Sequence, residues 1–436
     1  MRHSFFHSRL IAWLMCLAIL PTVWAQDGPI KVEVKEENGS FKLYRGGEPY
    51  YINGMGGTVY MDRGKSYGAN SVRTWGANDA IAVLDDAHAK GLTVLFGLWV
   101  GQERQGFDYD DAKAVEGQLA YFTEIVKSYK DHPAILMWGI GNENDLMYED
   151  RKVWNAINDI AKMVHEVDGN HPTMTVTAGL DVAEVQLIKA RAPHIDIYGI
   201  NTYGELIGID QKIRAYGWEG PYIITEWGPN GHWEVPKTAW GAPIEQTSAI
   251  KAQKYRERYM QGIARDPERC LGSYVFLWGQ KQETTPTWYG LFLEDGEETE
   301  VMDELQYCWS GVWPENRAPH LESFTINEQE AIESVYLKPG RKYLAEVVIK
   351  DPNKDKLTYS WELLESEIGL TGTGGDAEVV PDEIKIKVVE QDEGKLYFKA
   401  PNKEGGYRLF IYADDGKGKV ATANFPFFVR IGSGSK

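Results

Sequence analysis

From Tyr50 to about residue 279 the chain alternates short apolar runs with amphipathic stretches, and no other feature restricts its fold so strongly. The runs are "YYINGMG", "ANSVRTW", "LTVLFGLWV", "AILMWGIGNE", "TMTVTA", "IDIYGINTY", "PYIITEWG" and "SYVFLWG". Between them lie segments with apolar residues at helical spacing, such as "DAIAVLDDAHAKG" (79 to 91), "AKAVEGQLAYFTEIVKSYKDH" (112 to 132) and a helix over 248 to 265. The runs lack the polar alternation of a strand with one wet face, so each is a strand buried on both sides. Strands of that kind alternating with helices form a parallel sheet, and eight such units predict closure into a (β/α)8 TIM barrel, an α/β fold of about 250 residues. Ahead of the first run, "KVEVKEENGSFKLYRGGEP" reads as a short β-hairpin with Asn-Gly and Gly-Gly turns.

The style changes after "SGVWPENRAPH", where Pro314 and Pro319 mark a junction. Helical periodicity stops, and "YLAEVVI", "LTYSWELL", "KLYFKAP" and "YRLFIYADDGKG" read as strands separated by turns. The expected organisation is therefore a barrel with its hairpin over 26–316, a small all-β sandwich of immunoglobulin-like size over 317–430, and a tail over 431–436. Residues 1–25 read as a cleavable leader: Arg2 and Arg9 precede the apolar stretch Leu10 to Leu20, and "VWA" ends at Ala25. That stretch is too short to span a bilayer, which takes about 20 residues. The expected location is secreted or periplasmic, without membrane insertion.

Hydrophobic residues make up 43% of the chain and charged ones 25%, a balance that supports a sizeable core. The formal net charge of −18 disfavours nucleic acid and anionic membranes and favours neutral or cationic partners. Cys270 and Cys308 could pair in an oxidising compartment, but two cysteines make no disulfide framework and show no metal-type spacing. Asp351, Asn353 and Asp355 in "DPNKD", with Asp414 and Asp415, offer oxygen ligands without a complete calcium-loop signature, so a polar turn is expected there. No metal or cofactor is expected at the functional site.

In a parallel barrel the working side chains stand at the C-terminal ends of the strands, where the chain turns outward above a packed floor. Four strand ends are polar here: Arg73 in "SVRTW", Asn142 and Glu143 in "WGIGNEN", Asn201 and Tyr203 in "INTYGE", and Glu226 in "YIITEWG". Glu143 closes the fourth barrel strand and Glu226 the seventh, so the two carboxylates can face each other across the mouth. Two carboxylates flanking one bound sugar suit glycoside hydrolysis, one as acid and the other as nucleophile or base. The tryptophans supply apolar faces for a pyranose, with Trp75, Trp99, Trp227, Trp233 and Trp288 as candidates near strand ends or in following loops.

"WGIGNEN" and "ITEWG" resemble the two catalytic strand endings of the glycoside hydrolase clan A barrels, and "GANSVRTW" and "DHPAILMW" are most similar to the catalytic barrels of families 2 and 5. The resemblance covers about residues 45 to 312. It implies that Glu143 is the general acid/base, Glu226 the nucleophile and Asn142 a donor to the sugar 2-hydroxyl. It further implies that Arg73 holds Glu226 ionised, that Tyr203 donates to Glu226, and that Trp278 in "VFLWG" is a stacking floor. The resulting expectation is a retaining β-glycosidase that uses two glutamates on a neutral β-linked polysaccharide, a β-glucan first of all. A monomer that takes a polysaccharide or oligosaccharide is expected. A β-glucan transglycosylase would use the same residues, and a carbohydrate-binding barrel without turnover would keep the fold. Family 2 barrels normally follow large β-sandwich domains, whereas only a short preface precedes this one, which points to an open groove acting inside a polymer. The C-terminal strands look like an accessory domain of exported polysaccharide enzymes.

Overall fold

The computed structural model describes residues 28–366 and 375–431. The leader over 1–25 and the tail from 432 onward lie outside the described residues.

The chain begins with a three-stranded antiparallel meander, β1 (Val32–Glu37), β2 (Ser40–Arg45) and β3 (Glu48–Pro49). Its first turn is made by Asn38 and Gly39, both at positive φ, the conformation a tight hairpin of right-twisted strands needs. The meander closes the bottom of a barrel. Val32 and Leu43 insert among Leu95, Met137, Met174, Ile223 and Leu271, which fill the barrel interior. Each of the two side chains contributes roughly 1.5–3 kcal/mol by this burial. The Val32 and Phe41 amides donate to the carbonyls of Asn170 and Glu268, in loops that enter later strands, so backbone bonds seal the same end.

Eight parallel strands follow and close completely: β4 (Ile52–Gly56), β5 (Ser71–Arg73), β6 (Thr93–Leu98), β7 (Ile135–Ile140), β8 (Thr173–Ala178), β9 (Ile197–Asn201), β10 (Tyr222–Trp227) and β11 (Cys270–Val275). The TIM barrel expected from the eight apolar runs is the observed fold. On β6, Val94, Phe96 and Leu98 pack outward against the helices while Leu95 points into the barrel, which is why the run carries no polar positions. The helices are α1 (Met61–Tyr67), α2 (Ala80–Ala89), α3 (Ala112–Tyr129), α4 (Val153–Val167), α5 (Val182–Arg191), α6 (Ile209–Ala215), α7 (Ser248–Arg258) and α8 (Glu300–Ser310). Asp111 caps α3 by accepting the amides of Lys113 and Ala114. The helix expected over 248–265 is α7 followed by a π-helical turn, Tyr259–Ile263. The eighth strand starts at Cys270, earlier than "SYVFLWG" suggested, and ends at Val275. None of the described helices is long and apolar enough to cross a membrane. Cys270 and Cys308 are both free thiols.

Beyond the barrel stand two four-stranded sheets. One has the order β12 (His320–Ile326), β14 (Lys342–Lys350), β17 (Lys395–Lys399), β16 (Lys387–Asp392). The other runs β13 (Tyr336–Leu337), β19 (Val420–Val429), β18 (Gly405–Asp414), β15 (Thr358–Glu365). Ile326, Ala345, Leu396 and Phe398 of the first sheet meet Leu363, Leu409, Phe425 and Phe427 of the second in a shared core. The "DPNKD" acids form a turn in which the Asp355 amide donates to Asp351, and Lys417 reaches Asp355 at 2.6 Å. Asp351, Asp355 and Asp415 each place one oxygen within 4.8 Å of the others.

The sheets are bolted to the barrel by two buried charge clusters. Lys419 Nζ lies 2.7 Å from Glu298 and 2.9 Å from Asp303. Glu245 accepts from Lys251 at 2.5 Å, from Thr285 and Thr287, and from Asn424 of β19. Arg408 of β18, wholly buried, donates to the Pro243 carbonyl at 2.6 Å and to Asn424 at 2.8 Å.

Candidate active site

At the end of β7 the backbone makes an unusual exit. Gly141 turns to φ +78°, a conformation that a side chain resists, and a Cβ there would meet the Asn144 amide oxygen at 2.2 Å. Asn144 folds back into that space, accepting the Asn142 amide and donating to the carbonyls of Val100 and Gly101. Glu143 itself sits at φ +50°, which costs a non-glycine residue roughly 1–2 kcal/mol. Its own amide donates to the Val176 carbonyl at the end of β8, and this tie fixes the strained residue in place. The buried run thus ends in a cluster of amides because those amides hold a carboxylate over the barrel mouth.

Glu226, at the end of β10, is buried and addressed by three donors. Arg73 Nη1 lies 3.0 Å and Trp75 Nε1 2.8 Å from Oε1, and the Tyr203 hydroxyl lies 3.1 Å from Oε2. The Arg73 guanidinium, 5.0 Å from the Trp75 ring centre, also donates to the Thr225 carbonyl at 2.7 Å and to Asn142 Oδ1 at 2.6 Å. Burial pulls its pKa down, and the charges of Glu226 and Glu143 work against that pull. Asn201 bridges the two glutamates' surroundings: its Nδ2 donates to Glu143 Oε1 at 2.8 Å and to Asn142 Oδ1 at 3.1 Å, while its Oδ1 accepts from Thr225. With its oxygen occupied by Arg73 and Asn201, Asn142 turns its NH2 group away from them as a donor. Gln102, buried under this loop, donates to the Asn142 carbonyl at 2.7 Å.

The surroundings of Glu143 favour its neutral form. Burial, then the nearby charge of Glu226, pushes Glu143 up to about 8, so at neutral pH it is a protonated acid. Burial raises Tyr203 far above the usual phenol range, with Glu226 reinforcing the effect, so its hydroxyl stays a donor.

Trp75, Asn142, Glu143, Tyr203 and Glu226 line a cleft of about 440 Å³. Arg73, Asn142, Glu143, Tyr203 and Glu226 come together at one end of the barrel; Trp278 does not. Its indole N–H donates to the Val59 carbonyl at 2.7 Å, and its ring packs on Phe292 and Trp309 within the core. The strand has already ended at Val275, so Phe276 and Leu277 reach the cleft instead and Trp278 turns behind them. Trp75, Trp99 and Trp233 line the cleft, whereas Trp227 is core and Trp288 donates inward to the Asn230 carbonyl. Asn201 and Gln102 had no role from sequence; Asn201 carried the signal of a polar strand end, and Gln102 carried none.

One wall of the cleft comes from the β-rich half. Gly375, Asp376 and Ala377 line the cleft together with Trp75 and Trp99. Asp376 accepts from Arg104 Nη1 at 3.0 Å, and Glu378 accepts the Thr284 amide at 2.6 Å. On the same flank, Lys281 pairs with Glu283 at 2.7 Å.

Residues 67–251 match the family described as "Glycosyl hydrolases family 2, TIM barrel domain". Among solved structures, a Ruminococcus gnavus β-glucuronidase superposes with a TM-score of 0.51 at 16% identity, over 65% of this chain and 53% of that one. A Bifidobacterium dentium β-glucuronidase gives 0.50 at 19%, over 65% and 49%. An FMN-binding β-glucuronidase from Faecalibacterium prausnitzii L2-6 gives 0.50 at 14%, over 92% and 59%. The chain spans about half the length of these proteins, and at such identities the likeness is one of fold. The matched stretch holds six of the eight barrel strands in full, from Arg73 through Glu143 to Glu226, so the part of the barrel that carries both glutamates is similar to the TIM barrel domain of the glycosyl hydrolases family 2.

Proposed function

We propose that this protein is a retaining β-glycosidase that cleaves a neutral β-linked polysaccharide, with β-glucan as the substrate class. The observation that carries this reading is the contrast between Glu226, held by Arg73, Trp75 and Tyr203, and Glu143, kept protonated beside it. Glu226 attacks the anomeric carbon as the C–O bond to the leaving sugar breaks, and Glu143 gives its proton to the departing oxygen. Forming the ester removes the negative charge from Glu226. The second cause of Glu143's raised pKa then disappears, and its carboxylate can take a proton from the water that attacks the ester. The Asn142 NH2 group is placed to donate to the sugar 2-hydroxyl, a bond that strengthens in the transition state.

Neutral substrate is favoured by the charges of the cleft. The cations that line it are matched by anions, Arg104 with Asp376 and Lys281 with Glu283, and Arg73 beside the lining pairs with Glu226. A uronic acid, as cleaved by the β-glucuronidases of similar fold, would bring a carboxylate to a lining with no surplus positive charge.

The test is a panel of β-1,3-, β-1,4-, β-1,6- and mixed-linkage glucans, mannans, galactans and β-glucuronides, with products read by mass and first-formed anomers by NMR. Neutral oligosaccharides with retained β configuration are expected. Release from β-glucuronides alone, or an inverted product, overturns the proposal; products longer than the substrate would assign transglycosylation.

The protonation of Glu143 sets a pH limit. On a substrate with a poor leaving group, kcat/KM is expected to fall about tenfold per pH unit above about 8 as Glu143 loses its proton. Glu143→Gln should abolish that limb and be rescued by an activated aryl leaving group. The sign for stability is the same. A carboxyl raised from 4.5 favours the folded state fully below 4.5 and loses that contribution as pH rises to about 8, by up to about 1.4 kcal/mol per unit. Relative to the native protein, Glu143→Gln should therefore gain stability between pH 5 and 8 in denaturant titrations.

A further inference from the structure

We infer that the glycan continues out of the cleft across Trp99 into a second groove, which binds further sugar units of the same chain. The inference rests on the glycosidase reading and concerns how far its substrate extends.

The groove, about 320 Å³, lies between the loops after β5 and β6 and the side of α3. It shares Trp75 and Trp99 with the cleft, so the two adjoin across these side chains. The aromatic side chains form a track. Trp75 is anchored at one end by its bond to Glu226, Trp99 is 40% exposed in the middle, and Tyr121 is 60% exposed at the far end on α3. Large aromatics left this open on a barrel helix and loop leave apolar area in water unless a ligand covers it. Gly76 keeps the floor open: a Cβ there would approach no nearer than 3.9 Å to Trp99 Cβ and would project into otherwise empty space.

The lining specifies the ligand. Trp75, Gly76, Ala77, Asn78, Gly97, Leu98, Trp99, Tyr121, Phe122 and Ile125 include no acidic or basic side chain. Aromatic faces with an amide and a phenol suit the C–H face and hydroxyls of a neutral pyranose, and offer nothing to a charged group. Adjacency to the cleft then selects a polymer already held at Glu226 over a separate small molecule.

Binding and turnover test this separately. Affinities of the inactive Glu226→Ala protein for β-glucan oligomers of increasing length are measured by calorimetry, with and without Tyr121→Ala and with a blocking Gly76→Val. Affinity should rise with length in the parent, and the gain should shrink about tenfold in either variant. In the active background, kcat/KM on long oligomers should fall to match, through KM, while an aryl monoglycoside that ends within the cleft is turned over as before. Thermal midpoints report whether the variants fold. Length dependence that survives both substitutions overturns the groove and leaves the glycosidase reading standing. Glycan binding that rises with length and responds to Tyr121 in a protein without turnover would retain the groove and overturn the catalytic reading. A variant that loses the aryl glycoside as well would show the groove to be structural.

Discussion

Replacing Glu226 by alanine should lower kcat by about 10⁴-fold or more, because the proposed mechanism then loses the carboxylate that forms its covalent bond. The product stereochemistry identifies the role. Azide fits the space that the shortened side chain leaves. It should restore turnover of an activated aryl β-glycoside and release the α-glycosyl azide, with inverted configuration at the anomeric carbon. Azide rescue of Glu143→Ala should instead yield the β-glycosyl azide, since there the ester on Glu226 still forms first. If Glu226→Ala retains a tenth of native activity, Glu226 is not the nucleophile. The substitution also strips Arg73 of an ion-pair partner in a fully buried setting, so Glu226→Gln, which keeps the shape and one acceptor, is the control for fold.

The second large effect is on stability. Lys419 sits between Glu298 and Asp303, and all three are buried. Burial works against its charge, but Asp303 and Glu298 prevail and raise its pKa. Lys419→Met would leave two buried carboxylates with only the partly exposed Arg63 and Arg317 at their edges, and should cost about 3–5 kcal/mol. The lowered thermal midpoint should be partly recovered in the triple variant Lys419→Met, Glu298→Gln, Asp303→Asn, which removes the charges together. Full native stability of the single variant would mean that water reaches this cluster. Asp303 also accepts from Arg317 at the junction and from the Ala318 amide, so the damage should be felt on both sides of the interface.

Much of the barrel is legible because a strand covered on both faces must be apolar along its whole length, and helix-period segments between such strands leave few alternatives. Glu143 and Glu226 are legible for the converse reason, since a carboxylate at the end of such a strand is costly unless it serves a purpose. What escaped depends on loops. Trp278 lies only three residues past Val275, yet the backbone has already left the strand, and periodicity says nothing about where a side chain points after that. The helices α1 and α6 are seven residues each, too short to show a helical period in sequence. Asn201 reads as polar, but its bridging of Asn142 and Glu143 exists only because β7 and β9 end at one height. Arg104 and Asp376 are 272 positions apart, and no local pattern announces such a pairing.

That pairing makes the β-rich half part of the receptor. Asp376 and Glu378 tie residues 375–378 to the rim, so a ligand pressing on this wall would alter the docking of the sheets. Thermodynamic reciprocity requires the docking to alter affinity for that ligand by an equal free energy. Substrate choice in such a lineage can drift through a stretch that contributes no reacting group, while the paired glutamates and the barrel that carries them stay as they are.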